Sequence, residues 1–241
     1  VSLALIDFLK NDPGQILNKN IQQVIAFSGD GRLTDGSVAS AELREFLRSI
    51  PSDSLVRYAK QCLAESFPDS GLALQDIINE IGRRIGFEVT PGFYRGTPAQ
   101  PGHDGLWKDK NGHSVIVEVK TTDAYRVKLN RIALYKQDLE KKGLIDPKKT
   151  SMLIIEGRND SGDLEDQIRG SEYARHMRII GVQGLLWIME LKEKLENPKI
   201  IDLIHEIFIP RDFMRIDQIL EIAFAAVNDI VGYQAGGDEG R

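Results

Sequence analysis

The chain has 241 residues, of which 41% are hydrophobic and 28% charged, and this composition indicates a soluble globular protein with an ample core. Because Cys62 is the only cysteine, an internal disulfide and a cysteine-based zinc site are excluded. The net charge of −5 argues against a uniformly basic surface for binding nucleic acid. No apolar run reaches the roughly eighteen residues that span a bilayer and no signal-peptide pattern is evident, so we expect a cytoplasmic protein without a membrane partner.

Residues 1–69 are predicted to form a helical N-terminal segment. Apolar residues recur at helical spacing in four stretches, which predicts helices over 2–9, 16–27, 37–50 and 53–67. Cys62 falls on the apolar side of the last helix, so we interpret it as a core residue rather than a nucleophile. No pattern here indicates chemistry. Bracing the core, contacting DNA and forming a dimer face all stay open as roles for this segment.

The core is predicted to begin with an amphipathic helix over 72–85. Its apolar residues follow the i, i+3, i+4, i+7 pattern, and Gly86 provides a helix end. A short strand over 87–90 follows and breaks at Pro91-Gly92. A loop rich in glycine and proline then leads to Asp104. Trp107, shortly after it, is interpreted as a core residue.

Asp104 is predicted to lie on a second strand, and a third is predicted over 114–120, because Ser-Val-Ile-Val-Glu-Val-Lys is dense in β-branched residues. The preceding Asn111-Gly112 pair favours a tight hairpin, which would bring Asp104 on one strand beside Glu118 on the other. Side chains alternate along a strand, so Glu118 and Lys120 share one face of the sheet.

Two adjacent carboxylates repel each other unless a cation lies between them, and Mg²⁺ prefers carboxylate and water oxygens. Asp104 and Glu118 are therefore candidate metal ligands. A bound metal can polarise a phosphodiester, and Lys120 can orient the attacking water or stabilise developing negative charge. The plainer interpretation is a hairpin with a surface Glu-Lys pair, since a Glu-x-Lys sequence alone is common.

Asp104, Glu118 and Lys120, with thirteen residues between the two acids, resemble the motif of the PD-(D/E)xK nuclease superfamily. That superfamily includes most type II restriction endonucleases and many resolvases and repair nucleases. The resemblance covers about residues 72–157, roughly a third of the chain. One departure is His103, which stands before the first acid where the family often has proline. His103 is also a candidate substrate contact.

The downstream pattern agrees with the fold that this resemblance implies. Helices are predicted over 127–142, 164–177 and 182–195, with strands over 151–156 and 179–182. The order helix, three strands, helix, strand, helix, strand predicts an α/β fold, and the resemblance implies a restriction-endonuclease-like core over 70–196 with a central mixed sheet flanked by helices. Residues 197–241 are predicted to form a helical C-terminal segment with a frayed tail.

The resemblance also implies catalytic roles for Asp104, Glu118 and Lys120, with Mg²⁺ or Mn²⁺ held by the two acids. In the family the first core helix often supplies a further acid, and Asp76 and Glu80 are both candidates. A solvated helix acid is the alternative for each of them.

The segment from 108 to 149 holds eleven Lys or Arg against six Asp or Glu, a net charge of +5. Phosphate binding needs a local positive surface, so we expect contacts to double-stranded DNA from Arg126, Lys128 and Arg131. A solvated helix face of mixed charge is the alternative. Cutting both strands of a duplex requires either two active sites or two successive binding events by one site. A homodimer would provide two active sites.

The predicted function is metal-dependent endonucleolytic hydrolysis of DNA, of the type II restriction kind. Two alternatives stay open from sequence. One is a non-catalytic DNA-binding or assembly protein that keeps the nuclease fold. The other is a structure-selective resolvase or repair nuclease.

Overall fold

The computed structural model describes residues 4–96, 102–121, 127–157, 162–195 and 198–209 of the chain. Over these ranges it is an α/β protein whose five-stranded mixed sheet carries helices on both faces, as the sequence predicted. None of the helices in these ranges is both long enough and apolar enough to cross a membrane.

Five helices occupy the N-terminal part: α1 Ala4–Asn11, α2 Pro13–Leu17, α3 Ile21–Phe27, α4 Val38–Ser49 and α5 Ser52–Ala64. The single helix predicted over 16–27 is wrong, because the chain breaks between α2 and α3. Asn20 starts α3 with a capping box: its side chain accepts from the N–H of Gln23 (2.8 Å), and the Gln23 side chain accepts from the N–H of Asn20 (3.0 Å). This reciprocal pair satisfies donors at a new helix start.

The strands are β1 Glu88–Pro91, β2 Gly105–Lys108, β3 Ser114–Lys120, β4 Thr150–Glu156 and β5 Met177–Gly181. They lie side by side in sequence order, antiparallel from β1 to β3 and parallel from β3 to β5. The predicted positions of all five strands are confirmed to within a few residues. Asp104 lies one residue before β2 rather than within it.

The remaining helices are α6 Ser70–Arg84, α7 Leu129–Lys141, α8 Gly162–Arg169, α9 Val182–Lys194 and α10 Pro198–Ile207. The prediction that one helix covers 164–177 is wrong. The Ser171 hydroxyl donates to the carbonyl of Ile168 and accepts from the N–H of Tyr173. Such local side-chain bonds compete with the helical pattern and favour a turn. The helix and tail predicted beyond residue 209 lie outside the described residues.

The hairpin between β2 and β3 is confirmed, with a loop closed by Asp109. Its carboxylate accepts from the backbone N–H of Asn111 (2.9 Å) and of His113 (2.8 Å). Gly112 has a φ of 80°, a conformation that costs glycine little and other residues more. The Asn-Gly pair is thus placed where the chain must turn.

Each face of the sheet has its own apolar core. One core joins α6, α9 and the N-terminal helices to the sheet face that carries Val115 and Val117. The other joins α7 and α8 to the face that carries Ile116. Cys62 is buried in the first core, where burial raises the pKa of its thiol to about 12, so its interpretation as a core residue is confirmed. The domain boundaries drawn at residues 69 and 196 stay predictions.

Trp107 of β2 lies within the first core, which confirms the sequence interpretation. Its side chain is 0% exposed, and its indole N–H donates to Oδ1 of Asn79 on α6 (3.0 Å). A methyl group on Gly82 of the same helix would lie 2.6 Å from the indole ring. Helix α6 can therefore approach the sheet this closely only because residue 82 is glycine.

Trp107→Ala is expected to lower the free energy of unfolding by about 3–5 kcal/mol, the usual loss for a buried tryptophan. Urea unfolding followed by circular dichroism measures it. Trp187→Ala is the matched control, because Trp187 is 63% exposed; it should change stability by less than about 0.5 kcal/mol. Equal losses in the two variants would contradict this packing.

Candidate active site

Asp104 is held in place by its backbone as well as by its carboxylate. Its carbonyl oxygen accepts from the side-chain amides of Gln75 (3.1 Å) and Asn79 (2.8 Å), both on α6, and from the N–H of Gly92 (3.0 Å). Its carboxylate Oδ2 accepts from the N–H of Val119 on β3 (2.6 Å). The first core helix and β3 together fix this acid at the carboxyl end of β3.

Glu118 and Lys120 project from the same face of β3, as alternation predicted. The Lys120 ammonium lies 2.5 Å from Oε1 of Glu118. Glu118 is only 8% exposed, and its second oxygen, Oε2, is buried without a hydrogen-bond partner among the described residues. A buried carboxylate oxygen with an open coordination position is available to a cation.

Asp104 lies close enough to Glu118 for the charge of Glu118 to act on the pKa of Asp104. Burial, and after it the charge of Glu118, raise the pKa of Asp104 to about 7. The N–H of Val119 and the charge of Lys120 oppose the rise. The structure therefore brings Asp104, Glu118 and Lys120 into one site.

These residues fit a hard divalent cation. A cation between the carboxylates would relieve their repulsion and would give the open Oε2 of Glu118 a partner. No group of three His, Cys, Asp or Glu side chains suited to a metal occurs in the ranges that the structure covers. Asp104 and Glu118 would supply two acidic ligands, which suits Mg²⁺ because this ion usually keeps several waters.

The raised pKa of Asp104 predicts that the free energy of unfolding of the protein depends on pH. The Asp104 carboxyl has a pKa near 7 in the folded protein, against 3.8 as its ordinary value. A raised pKa contributes stability that is fully present below the ordinary value and is lost as pH rises through the folded value. In EDTA, the free energy of unfolding should therefore fall between about pH 4 and pH 7.

Urea unfolding of the wild type and of Asp104→Asn across this pH range tests the expectation. The variant should lack most of the decrease, since it has no proton to lose at this position. A parallel decrease in both proteins would assign the pH dependence to other groups.

Helix α7 contributes two residues to the rim of the site. Tyr135 is buried, and the pKa of its hydroxyl is raised by burial and then by the charge of Glu118, while Arg131 opposes the rise. Arg131 also acts on Asp104, whose pKa its charge lowers. The ring of His103 lies 6.3 Å from that of Tyr135. Sequence reasoning gave Tyr135 no role, although its place on the helix after β3 was a usable signal.

Asp76 and Glu80 are both paired with cations. Asp76 accepts from Arg44 (2.8 Å) and from the hydroxyl of Tyr94. Glu80 forms ion pairs with Arg83 (3.4 Å) and Arg84 (3.2 Å). The alternative of a solvated helix acid is wrong for both, because both are buried. Asp76 therefore ties α6 to α4, whereas Glu80 pairs with arginines of its own helix.

Only part of the basic segment lies near the site. Arg126 is outside the described residues, whereas Lys128 and Arg131 are exposed at the start of α7, beside the carboxyl end of β3. Lys149 donates to the carbonyl of Asn111 at the hairpin, by the amino end of β3. The seven residues of β3 separate these ends by about 20 Å. The segment therefore forms two basic regions.

A further acid, Glu156, lies next to the site and was not singled out from sequence. It is the last residue of β4 and pairs in parallel register with Lys120. The position of Glu156 at the end of an apolar strand could have marked it as a candidate from sequence. Register between the two strands was needed to place it opposite Lys120.

No protein-family model matches the sequence, and no curated protein matches it either. The geometry of the site is therefore what bears on function.

Proposed function

We propose that the chain is a Mg²⁺- or Mn²⁺-dependent endonuclease that hydrolyses phosphodiester bonds in double-stranded DNA, restriction-like in its core. The observation that carries the proposal is the cluster of Asp104, Glu118 and Lys120 at the carboxyl end of β3. Within it, Oε2 of Glu118 is buried and open to a cation. Two acids can hold the cation that metal-assisted phosphodiester hydrolysis uses, and a lysine beside them can stabilise the developing negative charge.

Each residue has a role that its contacts support. Asp104 and Glu118 would hold the divalent cation, which when bound polarises the scissile phosphate and lowers the pKa of the attacking water. The N–H of Val119 keeps the Asp104 carboxylate oriented toward Glu118. Lys120, held at Glu118, presents its ammonium group to the negative charge that develops on the phosphate.

The decisive experiment is incubation of unmethylated and methylated plasmid with the protein in Mg²⁺, Mn²⁺ or EDTA, followed by mapping of the cut ends. Cleavage of linear and circular duplex that requires the metal is expected. Binding without cleavage in either metal would favour a non-catalytic DNA-binding protein. Cleavage confined to branched substrates would favour a resolvase or repair nuclease.

The basic residues at the start of α7 are expected to contact DNA phosphates. Lys128→Gln with Arg131→Gln should weaken binding to all duplex sequences and lower the slope of log affinity against log salt by about two units, roughly one for each contact. Fluorescence anisotropy at several salt concentrations in Ca²⁺ measures the slope.

Lys148→Gln with Lys149→Gln is the matched control, since both residues are exposed at the opposite end of the sheet. An unchanged slope in the α7 variant, or an equal decrease in the control, would place the DNA elsewhere.

A further inference from the structure

Two amide side chains of α6 converge on one backbone atom of the site. Gln75 and Asn79 lie four residues apart and therefore on the same face of the helix. The side-chain amide of each donates to the carbonyl oxygen of Asp104, at 3.1 and 2.8 Å. The backbone N–H of Gly92 donates to the same oxygen (3.0 Å) and already gives it a hydrogen-bond partner. The two amides are therefore not needed to satisfy this carbonyl group.

Both amides are buried where α6 packs on the sheet. Gln75 is 3% exposed and Asn79 is 1% exposed, and their neighbours Leu74 and Ile78 lie in the larger core. Burying an amide group costs free energy that its hydrogen bonds only offset. An apolar side chain at either position would fill the space without that cost. Packing alone therefore does not account for the two amides, and their common partner, Asp104, points to the site.

The amide of Asn79 has one orientation that bonds at both ends. Its Oδ1 accepts from the indole N–H of Trp107 (3.0 Å), and its Nδ2 donates to the carbonyl of Asp104. An indole N–H only donates and a backbone carbonyl only accepts, so turning the amide over would break both bonds. A methyl group on Gly105 would lie 2.2 Å from Oδ1 of Asn79, so glycine at this position lets the amide approach the strand. Asn79 is thus fixed between the core and the site.

These bonds fix the backbone of a proposed metal ligand. The N–H of Asp104 donates to the carbonyl of Val117 (3.0 Å), so β3 holds the peptide group before its Cα. The two amides of α6 hold the peptide group after its Cα. Because peptide groups are planar, fixing both of them also fixes the direction of the Cα–Cβ bond. The carboxylate is then held at the N–H of Val119 (2.6 Å), next to Glu118.

We propose that Asn79, assisted by Gln75, is a positioning residue that keeps the carboxylate of Asp104 where it and Glu118 can share a divalent cation. Asn79 acts through the backbone of Asp104 and is not itself a metal ligand. The role rests on the proposed function, because the cation is the one that this site would use. Removing a polar group that holds a metal ligand in place commonly lowers metal affinity or activity by about 10- to 100-fold, which sets the size of the expected effect.

Asn79→Leu tests the role by calorimetry with Mg²⁺ and by cleavage of plasmid DNA. Leucine fills the space but donates no hydrogen bond, so the affinity for Mg²⁺ should fall by about 10-fold or more. The KM for DNA should change by less than about twofold, and excess Mg²⁺ should restore part of the lost kcat. A merely structural role would reduce the number of folded sites and leave the Mg²⁺ affinity of those sites unchanged. Affinity equal to that of the wild type would overturn the proposal.

Gln75→Leu is the second variant, because it removes one of the two donors and leaves the bond between Trp107 and Asn79 intact. Its Mg²⁺ affinity should fall less than that of Asn79→Leu. If Asn79→Leu does not fold, Gln75→Leu decides, and an unchanged affinity there rejects the role of the amide pair.

Gln61→Leu is the matched control. It also removes a helix amide that bonds a backbone group, in this case the N–H of Ile21 (2.9 Å) rather than Asp104. The control should bind Mg²⁺ like the wild type. A loss of affinity as large as that of Asn79→Leu would show that any lost amide has this effect, and would overturn the proposal.

A measurement without metal or DNA separates this role from the proposed function. The backbone N–H of Val119 donates to the carboxylate of Asp104, so its NMR resonance reports where that carboxylate lies. The resonance should move in Asn79→Leu and stay in place in Gln61→Leu. If the wild type neither binds Mg²⁺ nor cuts DNA, the proposed function fails, and this resonance alone decides the role of Asn79. An unmoved Val119 resonance in Asn79→Leu rejects it.

Discussion

Asp104→Asn is expected to abolish metal-dependent cleavage while leaving the protein folded. Asparagine has nearly the same shape and can still accept the hydrogen bond from the N–H of Val119, so the backbone geometry at β3 should persist. It cannot supply a negative charge to a divalent cation, and the remaining acid, Glu118, already carries the Lys120 ammonium. Loss of one of two acidic ligands should therefore remove Mg²⁺ binding at millimolar concentrations.

Calorimetry with Mg²⁺ or Mn²⁺ and a plasmid cleavage assay measure the two consequences. Asp166→Asn is the control, because Asp166 lies exposed on α8 and forms an ion pair with the exposed Arg169. The Asp166→Asn protein should bind the metal and cleave DNA like the wild type. Equal metal binding by the wild type and by Asp104→Asn would reject the assignment of Asp104. Glu118→Ala should give the same loss of activity as Asp104→Asn.

Lys120→Ala is expected to lower the cleavage rate by a factor on the order of 10² or more, as the loss of one electrostatic stabiliser commonly does. Folding and DNA binding should be retained, because the Lys120 side chain is partly exposed and lies on the face opposite Val117 and the larger core. The rate should be measured at saturating Mg²⁺, since removal of the ammonium also changes the charge beside Glu118.

A folded Lys120→Ala protein that cuts DNA at the wild-type rate would contradict the role. We do not expect Lys108 to replace Lys120 in this role. That residue pairs with Ser114 at the amino end of β3, whereas Lys120 ends the strand. The two lysines are therefore about 20 Å apart along the strand direction. Lys108→Ala is accordingly the matched control and should leave the rate unchanged.

The sequence by itself determined the local parts of the candidate site. The β-branched run that forms β3 and the turn signal at Asn111-Gly112 are short-range features, so the strand and its hairpin could be predicted. Alternation along one strand then placed Glu118 and Lys120 on the same face. Hairpin pairing brought Asp104 to within electrostatic reach of Glu118, because the loop that joins β2 to β3 is short.

The tertiary structure decided everything that depends on elements far apart in the chain. Gln75 and Asn79 hold the carbonyl of Asp104 from a helix that begins more than thirty residues earlier, and no periodicity predicts such a contact. Asp76 acquired Arg44 from α4, thirty-two residues earlier, whereas Glu80 pairs with arginines of its own helix. Glu156 became a neighbour of Lys120 only through the register of β3 and β4.

The same limit explains the basic segment, which is continuous in sequence but divided in space. Helix α7 follows β3 and leads to β4, which runs parallel to β3, so the helix must carry the chain back along the sheet. The first turn of α7 consequently lies by the carboxyl end of β3. Lys148 and Lys149, which follow the helix, lie by the amino end of β3. Local patterning is set by neighbouring residues, whereas the position of a charge relative to a distant site is set by how strands pair and helices pack.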